Sequence, residues 1–251
     1  MTNLQDILQG FESIALDKIN RVKLLDRMDT KYMFHARDLN EVLSTLQENY
    51  YALIVDGKNF SRYETTYFDT PGYDMYTKHH NGKLNRYKVR FRSYLDSNLI
   101  FFEIKFKSNK DRTIKSRIKV ENNELSITGE VQKLLERKTG YTAASLVPAL
   151  QVNYNRITLV NKNMTERLTI DFGLNFSHDG QHVDIPDLII SEVKQERTQK
   201  SPFISTMQEK RIRNTSLSKY CLGVASIVNH VKINNFKPKV RYVNQILSSN
   251  A

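Results

Sequence analysis

Polar and apolar positions alternate with period two through most of the middle of the chain. In "RYKVRFRSY" Arg86, Lys88, Arg90 and Arg92 fall on one parity, and Tyr87, Val89 and Phe91 on the other. "FFEIKFK" sets Glu103, Lys105 and Lys107 against Phe102, Ile104 and Phe106, and "IKSRIKV" sets Lys115, Arg117 and Lys119 against Ile114, Ile118 and Val120. "RLTID" and "ISEVKQ" repeat the split with Arg167, Thr169 and Asp171, then Glu192 and Lys194. Successive side chains of a strand point to opposite faces, so each segment predicts a strand with one apolar and one charged face.

Further strands are predicted at "TKYMF", "YALIVD", "FSRYETTYFD" and "ALQVNYNRITLV", with "GKN", "TPG", "LDSN" and "SNKD" as turns. Helical spacing appears at Leu4, Ile7, Leu8, Phe11, Ile14 and Ala15. It recurs in "DLNEVLSTLQENY", with Asp38 as N-cap, and in "LSITGEVQKLLERKTG", which ends at Gly140. Two closing helices are "SPFISTMQEKRI" and "SLSKYCLGVASIVNHV", the second capped by Ser216 or Ser218. Strands in hairpin-like succession with helices inserted or appended make an antiparallel α+β pattern, not an alternating βαβ one. Roughly eight strands can close into a small barrel, and no repeat or linker divides the single domain expected over residues 1–251.

Composition turns the charged faces into a question of ligand. The formal charge is +11 over 251 residues, which favours a polyanionic partner. The solvated outer face of an ordinary antiparallel sheet gives the same alternation. These faces, however, are biased to positive charge, repeat arginine, whose planar fork suits phosphate oxygens, and carry the scattered carboxylates Glu64, Glu103 and Glu192. A barrel closed with its charged face inward accounts for all three features, provided that a phosphate chain with a bound divalent ion supplies the missing negative charge. Cys221 is the only cysteine, which excludes a disulfide framework and a cysteine zinc site and suits a cytoplasmic chain. No run approaches a membrane span and the N-terminus is not a signal peptide, so any work at a membrane requires a membrane-protein partner.

"TKYMF", "YETTYFDTPGYDMYTKHHNGKLNRYKVRFRSY", "FFEIKFK", "PALQVNYNRITL", "RLTIDFGLNF", "IISEVKQ" and "SKYCLGV" resemble, in order and spacing, the VTC (vacuolar transporter chaperone) domain of the triphosphate tunnel metalloenzyme superfamily. The likeness runs from about Arg21 to Asn229. It implies a closed eight-stranded antiparallel β-barrel, a tunnel that binds ATP or another nucleoside triphosphate with Mn²⁺ or Mg²⁺, and polymerisation of the terminal phosphate of ATP into polyphosphate. Position by position it implies that Lys31, Arg90, Arg92, Lys105, Arg156, Arg167, Ser218 and Lys219 contact phosphate. Arg117 and Lys194 lie on the same inferred faces, and Glu192 is implied as metal ligand. Arg90, Arg92, Lys105 and Lys219 are the expected catalytic set. The Glu-x-Glu-x-Lys signature of the wider superfamily is replaced here by "MDTKYMF", which argues for the VTC branch.

Two alternatives stay open at this stage: a tripolyphosphatase or nucleoside triphosphatase that uses water as acceptor, and a non-catalytic polyphosphate-binding subunit. Nucleic acid is disfavoured as a partner, because the aromatics Tyr87, Phe91 and Tyr94 fall mostly on the face opposite the cations. His79 and His80 read as surface residues near a turn, His178 and His182 as a loop, and Cys221 as a small buried hydrophobe.

Overall fold

The alternating segments lie in one large sheet, seen in a computed structural model that describes residues 4–19, 27–110, 112–121, 125–196 and 200–248. The start of the resemblance near Arg21 and the outermost termini of the expected domain fall outside these residues. In chain order the strands are β1 (Glu12–Ile14), β2 (Arg27–His35), β3 (Tyr50–Leu53), β4 (Ser61–Asp69), β5 (Arg86–Tyr94), β6 (Leu99–Lys107), β7 (Thr113–Val120), β8 (Val147–Asn161), β9 (Glu166–His178), β10 (Gln181–Ile185), β11 (Leu188–Glu196) and β12 (Asn214–Thr215). The helices are α1 (Leu4–Gln9), α2 (Leu16–Ile19), α3 (Leu39–Leu46), α4 (Asp74–His80), α5 (Gly129–Thr139), α6 (Pro202–Glu209), α7 (Lys219–Ile227) and α8 (Lys237–Ser248).

The main path is β12-β2-β11-β9-β8-β4-β5-β6-β7, antiparallel throughout, with β10 beside β9, β3 beside β8 and β1 parallel to β3. The expected closed barrel is therefore corrected to an open sheet. Among the described residues β7 pairs with β6 alone, and the outer edge of β2 is taken at Tyr32 and Lys31 by β12, so no pairing joins β7 to β2. The sheet still curves enough for Glu192 on β11 to act electrostatically on Lys105 of β6.

Helices cover the convex side, where apolar strand residues face outward. α1, α3 and α6 pack on Phe34, Leu159, Leu168, Ile170 and Val193, and α5 covers Val89, Phe91, Phe102 and Ile104. α7 and α8 go to the other side. Tyr220, Val224, Val243 and Ile246 join Met33, Val152, Phe176 and Ile190 of the concave face in one core, which plugs part of the concavity and leaves the rest charged. No helix of the described residues is long and apolar enough to cross a membrane.

Several elements differ from expectation, each for a local reason. The first helix stops at Gln9, where Gly10 approaches Gln47, and Phe11 to Ile14 lead into the short strand β1. Asp38 does not cap α3 through its side chain; a 3-10 turn precedes it, and His35 Nδ1 accepts from Arg37 N at 3.1 Å. Gly140 does end α5, at φ +79. The "DG" between His178 and Gln181 is a two-residue hairpin turn, with Asp179 at φ 47 and Gly180 at φ 73, so His182 sits on β10 and not in a loop. His79 and His80 lie on α4, and His80 is buried against Phe236, its Nε2 accepting from Asn235 N at 3.1 Å. Cys221 is a buried free thiol, as expected.

Candidate active site

Register brings the charged parities onto one face. Arg90 is opposite Glu103, which is opposite Arg117, and in the next row Lys88, Lys105 and Lys115 line up. Arg92 is opposite Thr65. Across the concavity Arg156 is opposite Asp171, Lys31 is opposite Glu192, and Lys194 is opposite both Arg167 and Asp29. The candidates Lys31, Arg90, Arg92, Lys105, Arg117, Arg156, Arg167 and Lys194 thus share the concave face. Ser218 and Lys219 reach it from the start of α7, where Ser218 Oγ accepts from Cys221 N at 3.3 Å as the N-cap.

A bulge is needed for that α7 approach. Between Asn155↔Phe172 and Asn153↔Asn175 β9 spends one residue more than β8, and Gly173 takes the left-handed φ of +62 there. The extra residue puts Asp171 and Leu174 on the same side, so the charged row of β9 passes directly into the apolar surface that receives α7.

Three carboxylates organise the cations. Glu103 is 1% exposed and takes Arg90 through Nε at 2.8 Å and Nη2 at 2.5 Å, Lys115 at 2.5 Å and Arg92 at 3.9 Å. Burial raises its pKa, but Arg90, Arg92 and Lys115 outweigh that and hold it at about 2. Asp171, 4% exposed, pairs with Arg156 through Nε at 2.5 Å and Nη2 at 2.8 Å and also accepts from Lys219. Burial works against its charge, and Arg156 and Lys219 keep it ionised, below the usual range. Glu192 binds Lys31 at 2.9 Å and Lys194, which also reaches Asp29 at 3.1 Å. These lysines overcome the effect of burial and hold Glu192 far below an ordinary glutamate.

Positive charge remains in excess. Desolvation, then repulsion from Lys88, brings Lys105 down to about 8 although its side chain meets solvent in the concavity. Burial also lowers Lys88, which donates to Ser218 Oγ at 2.8 Å and ties β5 to α7. Tyr67 records the same field. Its phenol is buried, which alone would raise it, yet Arg90, Arg92 and Lys88 pull it to about 8, and Arg90 Nη1 donates to its oxygen at 3.0 Å.

Tyr87 and Phe91 lie on the face opposite the cations, as expected, but other aromatic rings share the charged face. Tyr94 has the parity of the arginines and packs 4.9 Å from Tyr63, which stacks on Tyr154 at 5.2 Å. Arg156 lies 5.2 Å from the Tyr63 ring, Arg117 4.9 Å from Phe101, and Lys219 4.6 Å from Tyr154. Glu64, by contrast, has the opposite parity to Tyr63 and Thr65 and leaves the site. Lys88, Lys115 and Asp171, which parity put on the charged faces without naming them as phosphate contacts, belong to the site, and so does Tyr67, which spacing did not single out. The role of Asp171 as shared counter-ion of Arg156 and Lys219 could be found only from register and from an α7 residue far along the chain.

The donor set suits a divalent ion that arrives with phosphate. Among the described residues no three His, Cys, Asp or Glu side chains gather to hold a metal by themselves. Glu192 with Asp29 alongside offers the one or two carboxylates that Mg²⁺ takes when substrate oxygens and water complete its shell.

The family model of the VTC domain matches residues 26–228. The chain belongs to the VTC domain family. No curated protein matches this VTC domain chain. Among solved structures it is similar to a candidate adenylate cyclase from Bacillus halodurans, at 13% identity and TM-score 0.53, over 81% of this chain and 98% of that one. It is also similar to HpAC1 from Hippeastrum, a candidate adenylyl cyclase with a dominant triphosphatase activity, at 11% identity and TM-score 0.51, over 79% and 96%. These likenesses show that the VTC domain shares its fold with those two structures.

Proposed function

We propose that this VTC domain is a metal-dependent polyphosphate polymerase that transfers the terminal phosphate of ATP to a growing polyphosphate chain. The observation that carries the proposal is the excess of cations over carboxylates on one concave face. Glu103, Asp171 and Glu192 each serve two or more cations, so a bound polyanion can take over the unbalanced charge.

An oxygen of the chain's terminal phosphate attacks the γ-phosphorus, the bond from that phosphorus to the β,γ-bridging oxygen breaks, and ADP leaves with the electron pair. The acceptor is already ionised near neutral pH, so no strong general base is required. The protein mainly positions the two groups in line and neutralises charge on the transferring phosphoryl. Arg90, Arg92, Lys105 and Lys219 perform the neutralisation. Lys31, Arg117, Arg156, Arg167, Lys194 and Ser218 hold the nucleotide phosphates and the chain. Mn²⁺ or Mg²⁺, held by Glu192, supplies Lewis-acid neutralisation of phosphate oxygens when bound.

The likeness to HpAC1, with its dominant triphosphatase activity, favours hydrolysis as the second reading. Phosphorus NMR of protein with ATP, Mn²⁺ and a short polyphosphate primer tests both. Growth of the internal-phosphate signal together with ADP is the expected result. Orthophosphate without polymer would make the protein a triphosphatase. Tight polyphosphate binding without turnover would make it a binding subunit.

A further inference from the structure

We propose that the cleft between the Arg86 end of β5, α7 and α8 is a second polyanion site, which holds phosphate units of a chain running out of the central cation cluster. This rests on the function proposed above. The cleft measures about 440 Å³, and Arg86, Lys107, Lys239, His79, Ser216 and Ser218 stand on its wall. No Asp or Glu of the described residues lines it, unlike the central face with its three organising carboxylates.

The two regions are continuous. Arg86 follows Lys88 on the same face of β5, about 6.6 Å further along at the usual strand rise. Lys88 donates to Ser218, and Ser218 also lines the cleft. Lys239 comes in from α8 and donates to Ser216 Oγ at 2.9 Å, so cations stand on two sides of the opening. His79 is neutral here, since burial, then Lys88, Arg86 and Lys239, push it down to about 2, so the charge of the cleft comes from its lysines and arginine. Its Nδ1 lies 3.1 Å from Cys221 Sγ. Lys239 and the whole of α8 come after residue 228, where the family match ends, so the segment beyond the family core supplies one wall. A linear phosphate chain suits this lane because it carries charge on every unit and so can meet Lys88, Arg86 and Lys239 in succession.

The test compares the wild type with Lys239→Gln and with the double variant Arg86→Gln/Lys239→Gln, titrating ATP, tripolyphosphate and a long size-fractionated polyphosphate by calorimetry. The double variant is expected to lose about tenfold in affinity for the long chain, equivalent to about 1.4 kcal/mol. Tripolyphosphate and ATP, centred on Arg90 and Arg156, should change by less than about twofold on the same scale. An unchanged long-chain affinity, or an equal loss for all three ligands, would overturn the second site. Failure of the wild type to bind tripolyphosphate would instead overturn the function proposed for the central face. Should the double variant melt early, the single change on α8 decides by the same comparison, with Lys239→Arg expected to keep long-chain affinity.

Discussion

At the scale of single residues the site is a set of cations held in place by shared carboxylates, and Asp171 is the member whose removal is most informative. Asp171→Asn leaves the half-buried Arg156 and Lys219 side by side without a counter-charge. The unliganded protein is expected to lose about 3 kcal/mol, the scale of breaking a buried pair from one side. Tripolyphosphate should return part of that loss, so the melting shift it causes should be larger in the variant than in the wild type; equal shifts would argue against anion binding at this face. Tyr67 gives a pH signature. Its pKa falls from 10.0 to about 8 on folding, so between those values the unfolded chain holds more protons and stability rises with pH. Two units correspond to at most about 2.7 kcal/mol. The rise should end near pH 10, since Tyr63, held at about 12 chiefly by burial, then acts in the opposite sense. Melting temperatures across this window should climb in the wild type and climb less steeply in Tyr67→Phe, where Lys105, also lowered to about 8, still contributes in the same sense; parallel curves would refute the assignment. Tripolyphosphate affinity should fall over the same range as Lys105 loses its charge above about 8. The cationic rows were readable from parity alone, because Arg90 and Arg92 differ in kind from Val89 and Phe91. Parity put Asp171 on the charged face too but not its role, which lies in Arg156 across a strand pair and Lys219 from a helix, and neither is encoded by local spacing.

At the scale of elements α7 decides where Ser218 and Lys219 stand. It lies so close to the sheet that a Cβ at Gly223 would sit 2.5 Å from Phe176 and 2.6 Å from Leu150. Gly223→Ala is therefore expected to cost about 1–3 kcal/mol by overpacking. It should also lower turnover or phosphate affinity, because the helix must move away from β8 and β9 and take Lys219 off Asp171. Loss of stability with unchanged phosphate affinity would show that α7 does not set the site. Long strands such as β5 and β6 were legible because alternation continued over nine residues in each. The bulge in β9 was not, since one residue inserted at Gly173 changes the face of everything that follows without changing the alternation on either side. α8 was missed although Val240, Val243, Ile246 and Leu247 carry helical spacing, and α4 was hidden behind the turn chemistry of "TPG".

At the scale of the whole molecule, the +11 charge couples folding to anion binding. Tripolyphosphate at about a hundred times its dissociation constant should add about 2.7 kcal/mol, a rise in melting temperature of roughly 5–10 °C for a chain of this size. Added salt should weaken the effect steadily by screening; a salt-independent shift would point to some other origin. The α+β class and the curved antiparallel sheet followed from the order of the segments. The open edge was not legible, and neither was β12, a two-residue strand too short to leave a periodic trace. An open sheet has outer strands, and β7 is one of them, with Ile114 56% exposed near its start. A strand with a free edge invites a second chain to dock its backbone there, as in aggregates. Lys115, Arg117 and Lys119 place like charge along that border, so two copies approaching edge to edge would bring their lysines and arginines into register and repel each other. The basic rows thus also help to keep the folded molecules apart at high concentration.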